Sequence, residues 1–297
     1  MAEGKDTMNG KTVVITGANS GIGKAAAVQM AELGANVVMA CRSLERSAAA
    51  LAEVKQSTGN EQVELLQVDM SSQASIRRFA EEFRSGHPRL DVLIHNAANF
   101  DLTMKKPVLN DDGIETIFAT NHVGVFLLTN LLLDMLKASA PSRIITVASK
   151  GLMVYPGLDI EFDNLNGERS YNPQHAYYHS KLAQVMYTYD LVERLAGTGV
   201  TVNCVRVGNV ALADDRLGNM PGFLKKLYAL KKKASLTPEE MARTYVYLAV
   251  DPAVGQVTGG YWDEHNKQVK SNANSYRSET WQRLWQVTEK LIDPDKI

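Results

Sequence analysis

Short apolar runs rich in β-branched residues alternate along this chain with longer amphipathic stretches. The runs predict strands at Thr12–Thr16, Asn36–Ala40, Val63–Val68, Asp91–His95, Arg143–Ala148, Val200–Val207 and Gly259–Trp262. The amphipathic stretches predict helices at Gly21–Leu33, Leu44–Ser57, Gln73–Ser85, Gly113–Ala138, Gln174–Ala196, Pro238–Val250 and Ser278–Ile292. Strands that alternate with helices are typical of a parallel sheet covered on both faces. We therefore predict an α/β fold, a doubly wound Rossmann-type sheet of about seven strands, as a single domain over residues 1–297.

Four segments lie outside this regular alternation. Residues 1–10 form a polar tail, and residues 150–173 form an insert rich in Pro, Gly, Asp and Asn. Residues 208–237 contain several apolar positions and are interpreted as a substrate lid. Residues 276–297 contain the last amphipathic helix, which we expect to pack on the body of the protein or on a second subunit, as in a homodimer.

Composition narrows the function classes. Hydrophobic residues make up 45% of the chain and the net charge is −1, which favours a globular protein and gives no electrostatic case for nucleic-acid binding. The longest apolar stretch, 123–136, contains three polar interruptions, and the N-terminus has no apolar segment, so we expect no transmembrane segment and no signal peptide. Two distant cysteines, Cys41 and Cys204, are expected to be reduced and buried, and the location to be cytoplasmic.

A glycine-rich turn follows the first strand. The sequence T-G-A-N-S-G-I-G spans 16–23, between a strand and a helix, which is the context that a dinucleotide-binding turn requires. Such a turn alone could be structural, but free N–H groups at the helix start favour a pyrophosphate. The candidate cofactor residues here are Gly17, Asn19, Ser20, Gly21, Ile22 and Gly23.

The end of the second strand bears on the choice of cofactor. Arg42 and Ser43 stand there, and no carboxylate occurs before Glu45. A guanidinium can pair with the 2′-phosphate of NADP(H), whereas NAD usually meets a carboxylate, so we predict NADP(H) over a merely solvated Arg42. Asp69, with Met70 beside it, follows the third strand and is placed either to bond the adenine or to cap the next helix.

Tyr177 and Lys181 are four residues apart on a predicted helix and therefore share a face. An ammonium beside a phenol is expected to lower its pKa and make it an acid or base. This spacing also arises by chance, but Ser149 and Asn96 end predicted strands at the edge where such sheets bind ligands. Asn121 is a polar residue within an apolar helix, so it is either part of this site or a satisfied core amide.

The order of these motifs resembles the short-chain dehydrogenase/reductase family from Lys11 to Trp262. The stretches ACRS (40–43), NHVG (121–124) and AYYHSK (176–181) are similar to its retinol dehydrogenase branch. The resemblance implies a catalytic tetrad of Asn121, Ser149, Tyr177 and Lys181, in which Lys181 also binds the nicotinamide ribose. It further implies that the cofactor contacts Asn96, Ala97, Ala98 and Val210.

Three positions depart from the family pattern. Ala98 stands where Gly is usual, Val207 stands where Pro is usual, and Ala148 precedes Ser149 where a second Ser is frequent. None removes a catalytic group, so they affect the cofactor geometry rather than the reaction class. We therefore predict an oxidoreductase that interconverts a hydrophobic alcohol and carbonyl. A C=C reductase similar to protochlorophyllide reductase and a non-catalytic NADP(H)-binding module are the alternatives.

His175 and His179 have a spacing that zinc sites use, but the sequence offers no third ligand near them. No metal is therefore predicted. An N-terminal anchor, frequent among membrane-bound retinol dehydrogenases, is not evident in the sequence, so retinol is not assumed to be the substrate.

Overall fold

The structure is a computed structural model and describes residues 7–210 and 235–292. Its strands are β1 (Thr12–Thr16), β2 (Asn36–Cys41), β3 (Val63–Gln67), β4 (Val92–His95), β5 (Ser142–Ser149), β6 (Val200–Val207) and β7 (Tyr261–Trp262). They form one sheet in the order β3-β2-β1-β4-β5-β6-β7, and all neighbouring strands are parallel. The predicted seven-stranded, doubly wound sheet is confirmed.

Seven helices flank this sheet in the described residues. They are α1 (Gly21–Glu32), α2 (Leu44–Thr58), α3 (Gln73–Gly86), α4 (Thr116–Ala138), α5 (Pro173–Arg194), α6 (Pro238–Val250) and α7 (Ser278–Ile292). Most of the predicted lid, 211–234, lies outside the described residues. At its borders, Val210 forms a β-bridge with Leu236.

Most boundaries lie within one or two residues of the prediction, and the largest difference, at the start of α4, has a local reason. α4 begins at Thr116 rather than Gly113, because Gly113 has a φ of 74° in the preceding turn and the Glu115 carboxylate caps the helix by accepting from Phe118 N at 2.8 Å. The insert after β5 is not all loop, since a 3₁₀ turn occupies Lys150–Val154.

Successive strand residues point to opposite faces of the sheet, and helices cover both faces. In β1, Ile15 belongs to the core cluster that contains Met30 of α1 and Tyr245 of α6. The adjacent Val14 belongs to the cluster with Phe79 of α3 and Leu132 of α4. The chain leaves β1 for β2 on one side, whereas β4 flanks it on the other. This creates a topological switch point at which doubly wound sheets bind ligands.

α4 is more apolar than the prediction of no membrane span implies. Within the described part of the chain it alone has the length and composition of a membrane span, with a mean hydropathy of 1.5 over its 18-residue window. However, 72% of that window is buried inside the protein. Its apolar surface therefore packs in the core, against α3 and the sheet.

α7 covers α4 and α5 of its own chain, which is one of the two outcomes expected for the last helix. Trp285 lies with its ring centroid 4.6 Å from Phe126 and 5.8 Å from Tyr187, and the Arg194 guanidinium stands 3.7 Å from its ring. The described part of α7 thus buries its apolar face within the molecule.

Candidate active site

The glycine-rich turn requires glycine at some positions for the backbone conformation and at another for close packing. Gly17 and Gly21 have φ of +67° and +55°, a backbone region that side chains rarely adopt. A Cβ on Gly23 would collide with Asn96 Nδ2 and the Gly17 carbonyl, so its absence brings α1 close to β1 and β4. A Cβ on Gly21 would instead project into open space, with no atom within 4 Å.

The start of α1 is left without a capping side chain. Ser20 is the N-cap residue but its side chain makes no cap hydrogen bond, and the first turn has no acidic residue. In contrast, Ser43 caps α2 and Ser72 caps α3. Unpaired N–H groups and the positive end of the helix dipole favour an anion there. Together with the open space beside Gly21, they fit the pyrophosphate of a dinucleotide.

Asn96 holds the glycine turn in place. Its Nδ2 donates to the carbonyls of Thr16 at 3.0 Å and Gly17 at 3.2 Å. Its Oδ1 accepts from the hydroxyl of Tyr245 at 3.3 Å. Tyr245 was not among the residues predicted for the site. Tyr245 is fully buried in α6, and no sequence motif surrounds it. Its contact with Asn96 arises because α6 packs on α1.

The residues predicted to choose the dinucleotide lie at the ends of β2 and β3. Arg42 is exposed, and among the described residues its guanidinium has no ion-pair or hydrogen-bond partner. Ser43 caps α2 by accepting from Arg46 N at 3.3 Å. Asp69 does not cap α3, a role that Ser72 takes, and instead accepts from the N–H and the hydroxyl of Ser71 at 2.9 and 2.6 Å.

Ser149, Tyr177 and Lys181 come together at the carboxyl end of β5. The Ser149 hydroxyl lies near that of Tyr177 and lowers its pKa. The Lys181 Nζ lies 5.7 Å from the centre of the Tyr177 ring and donates to the Val147 carbonyl at 2.8 Å. The lysine is 2% exposed, so its ammonium has left bulk water. The i, i+4 spacing on α5 therefore produces the predicted shared face.

The pKa values differ from the expectation. Burial raises the pKa of the Tyr177 hydroxyl above its ordinary value and Tyr178 raises it further, while the nearby Ser149 hydroxyl opposes them. Burial also lowers the pKa of Lys181 to about 8. The pKa of Tyr177 is therefore raised rather than lowered as predicted, because burial of the hydroxyl is the largest influence on it.

Asn121 lies in a π-helical turn, Ala119–Val123, within α4. Its Oδ1 accepts from Asn99 N at 2.7 Å, and its Nδ2 donates to Asn99 O and to Ser180 Oγ, both at 3.0 Å. The Ser180 hydroxyl in turn donates to the Tyr177 carbonyl at 2.7 Å. Gln184 Nε2 donates to the Asn121 carbonyl. The amide is thus both satisfied in the core and connected to the segment that carries Tyr177.

Ala97 and Ala98 follow β4, and Ala97 borders the glycine turn. Ala97 N donates to Thr16 Oγ1 at 3.0 Å, and the Ala97 backbone lies 3.0 Å from the position of a Cβ on Gly17. The predicted cofactor residues after β1 and β4 are therefore neighbours in space. Val210 lies beyond the end of β6, at the border of the described residues.

A parallel sheet with an uncapped glycine-rich turn at one strand end and a Ser, Tyr and Lys group at another is the arrangement of a nicotinamide-dependent oxidoreductase. Comparison with known proteins identifies the family. The model of the short chain dehydrogenase family matches residues 11–215. The chain belongs to this family, whose members use NAD(P)(H), and it is an oxidoreductase acting on CH–OH and C=O groups.

The relatives extend the match beyond that region. Human retinol dehydrogenase 14 is 40% identical over 96% of this chain and 87% of its own length. Human retinol dehydrogenase 13 is 40% identical over 97% of this chain and 86% of its own. Among solved structures, an uncharacterized protein from Mycobacterium paratuberculosis superposes with a TM-score of 0.73 at 29% identity, covering 98% of this chain and 96% of that one.

Proposed function

We propose that this protein is an NADP(H)-dependent oxidoreductase that interconverts a hydrophobic alcohol and its carbonyl compound, with Tyr177 as acid or base. The observation that carries the proposal is the grouping of Ser149 and Tyr177 with the buried Lys181 ammonium, which lies 5.7 Å from the centre of the Tyr177 ring. These three groups lie at the carboxyl ends of the parallel strands, on the same side of the sheet as the glycine-rich turn. The hydrophobic character of the substrate is supported by the relatives, two of which are named as retinol dehydrogenases.

In the proposed reaction, the glycine-rich turn and Arg42 would hold NADPH, which when bound would supply a hydride for the carbonyl carbon. The Tyr177 hydroxyl donates its proton to the carbonyl oxygen, and the Ser149 hydroxyl donates a hydrogen bond to the same oxygen. A hydride and a proton together convert the carbonyl to an alcohol. A tyrosine hydroxyl keeps its proton at neutral pH, as the acid in reduction requires, and burial favours this protonated form further. In the reverse direction, the positive charges of Lys181 and of an oxidised nicotinamide would favour the phenolate.

NADP(H) is proposed over NAD(H) because of Arg42. Its guanidinium is exposed and has no partner in the described residues, so it is free to pair with a 2′-phosphate. Cys41 ends β2 where a carboxylate would bind an unphosphorylated ribose. The Ser43 hydroxyl could donate a second hydrogen bond to this phosphate, since in capping α2 its oxygen acts only as an acceptor.

The test is a screen of NADPH oxidation by the purified protein. One panel contains saturated aldehydes and ketones, and a second contains enones whose C=C bond is the reducible group. We expect turnover with the first panel, and alcohols as products. Reduction of C=C bonds alone would favour the alternative of a protochlorophyllide reductase-like enzyme.

Tyr177→Phe is the matched variant, because it removes only the hydroxyl. We expect it to lower kcat by about 100-fold or more while NADPH binding, followed by fluorescence, is retained. Cofactor binding without turnover by the unchanged protein would instead favour a non-catalytic NADP(H)-binding module.

A further inference from the structure

One aromatic side chain beside the proposed catalytic tyrosine is left half in solvent. The ring of Phe100 lies against that of Tyr177, with 4.3 Å between the ring centroids and an angle of 56° between the planes. Phe100 is nevertheless 50% exposed. One side of the ring therefore contacts the proposed proton donor, and the rest is available to another apolar group.

The backbone just before Phe100 is tied to α4. Its predecessor, Asn99, has its backbone N–H and carbonyl held by the buried Asn121 amide at 2.7 and 3.0 Å. After Phe100, Asp101 accepts through Oδ1 from the N–H and the hydroxyl of Thr103 at 2.9 and 2.6 Å, which is a local turn within the exposed loop. Phe100 is thus an exposed aromatic residue that directly follows a held backbone segment, and a surface held in this way loses less entropy when a ligand covers it.

Two other neighbours of Tyr177 in the described part of the chain, Tyr178 and Lys181, occupy other sides of its ring, and the half-exposed apolar contact is the one with Phe100. Tyr178 packs edge-on at 5.3 Å between centroids, and it fills the space above Gly151, where a Cβ would collide with its ring. The Lys181 ammonium lies over the Tyr177 ring. A carbonyl compound whose oxygen reaches the Tyr177 hydroxyl would therefore extend its carbon chain past Phe100.

We propose that Phe100 is the specificity-determining residue of the site, and that its exposed ring binds the apolar group attached to the reacting carbonyl. Short substrates would reach Tyr177 without covering the ring. Longer ones would bury it, at a gain that grows with the apolar area removed from water. The inference rests on the proposed carbonyl reduction, and it assigns the selection for hydrophobic substrates to one side chain.

The experiment compares kcat/KM for NADPH-dependent reduction of straight-chain aldehydes from propanal to decanal. In the unchanged protein kcat/KM is expected to rise with chain length. Phe100→Ala should lower kcat/KM for decanal by about tenfold, equivalent to about 1.4 kcal/mol, and leave propanal within about twofold. Phe100→Leu, which keeps an apolar side chain, should retain most of the dependence on length.

Val108→Ala is the matched control, because Val108 is also 50% exposed and follows Phe100 by eight residues, but has no ring contact with Tyr177. It should leave the whole series unchanged. Equal losses for all aldehydes in Phe100→Ala would mean that Phe100 only supports Tyr177, and an unchanged series would mean that substrates avoid it. Either result overturns the inference while turnover by the unchanged protein still supports the proposed function. If the unchanged protein reduces no aldehyde in the series, both fail.

Discussion

The side chain of Asn121 pairs with both backbone polar groups of Asn99, accepting from the N–H at 2.7 Å and donating to the carbonyl at 3.0 Å. Through this pair, the π-helical turn of α4 holds the segment that follows β4. The same amide reaches Ser180 on α5, so a single buried side chain joins three parts of the proposed site.

Asn121→Ala should loosen this junction. The Asn99 backbone and Ser180 would lose their partners, so we expect the free energy of unfolding to fall by about 1–3 kcal/mol. Carbonyl reduction should also fall, because the segments that carry Ala97 and Tyr177 lose a shared contact. Urea unfolding and steady-state kinetics would measure the two effects. Asn130→Ala is the control, since among the described residues the Asn130 side chain bonds the Phe126 carbonyl of its own helix and no other group. Equal effects of the two variants would contradict this role of Asn121.

Two glycines of the same turn should respond differently to alanine. In Gly21→Ala the methyl group would enter open space, so stability should fall only by the cost of the left-handed backbone, about 1–2 kcal/mol. NADPH binding should weaken by about 100-fold, equivalent to about 2.8 kcal/mol. Gly23→Ala should instead destabilise the fold by about 1–3 kcal/mol or more, because its Cβ collides with Asn96 and Gly17. Calorimetry and NADPH titration separate the two, and tight NADPH binding by Gly21→Ala would argue against a pyrophosphate at this turn.

Arg42→Ala tests the proposed preference for NADP(H). Loss of charge-assisted hydrogen bonds to a 2′-phosphate should raise the Kd for NADPH by about 10- to 100-fold. The Kd for NADH should change little, since that cofactor has no 2′-phosphate. Lys55→Ala, at the other end of α2 and paired with Glu61, serves as the control. If Arg42→Ala weakens both cofactors equally, the 2′-phosphate assignment is wrong.

The depressed pKa of Lys181 makes stability depend on pH. The folded protein releases the lysine proton near pH 8, whereas the unfolded chain holds it to about pH 10.4. The cost of burying the ammonium is fully present below pH 8 and is lost as the pH rises towards 10.4, so this group contributes increasing stability with pH. Between pH 7 and 9.5, the unfolding free energy of the unchanged protein should rise by about 2 kcal/mol relative to Lys181→Met.

Urea unfolding at both pH values, without cofactor, measures this difference. Lys137→Met is the control, since Lys137 is exposed and its substitution should give no such change. A difference between the unchanged protein and Lys181→Met that stays constant over this range would show that Lys181 has an ordinary pKa.

Trp285→Ala tests the contribution of α7. The indole packs between Phe126 and Tyr187, with Arg194 over its ring, so we expect a loss of about 3–5 kcal/mol on removing it. Gln286→Ala, exposed on the same helix, should stay within about 0.5 kcal/mol. Thermal unfolding distinguishes them, and similar melting temperatures for both variants would mean that α7 contributes little to the fold.

The sequence by itself was sufficient for the strands, the glycine turn and the Tyr177–Lys181 face. Each depends on short-range rules: the two-residue period of a strand, the backbone freedom of glycine and the i, i+4 spacing of a helix. The start of α4 was placed three residues early, because the capping of the helix by Glu115 was not recognised.

Only the tertiary structure decided which distant groups meet. Tyr245 bonds Asn96 across 149 residues, Asn121 bonds Asn99 and Ser180, and α7 covers α4. The direction of the Tyr177 pKa shift was also decided there, since the sequence shows the nearby charge of Lys181 but not the burial that outweighs it. Local periodicity specifies which face a residue occupies, whereas desolvation and long-range hydrogen bonds depend on what the rest of the chain packs against that face.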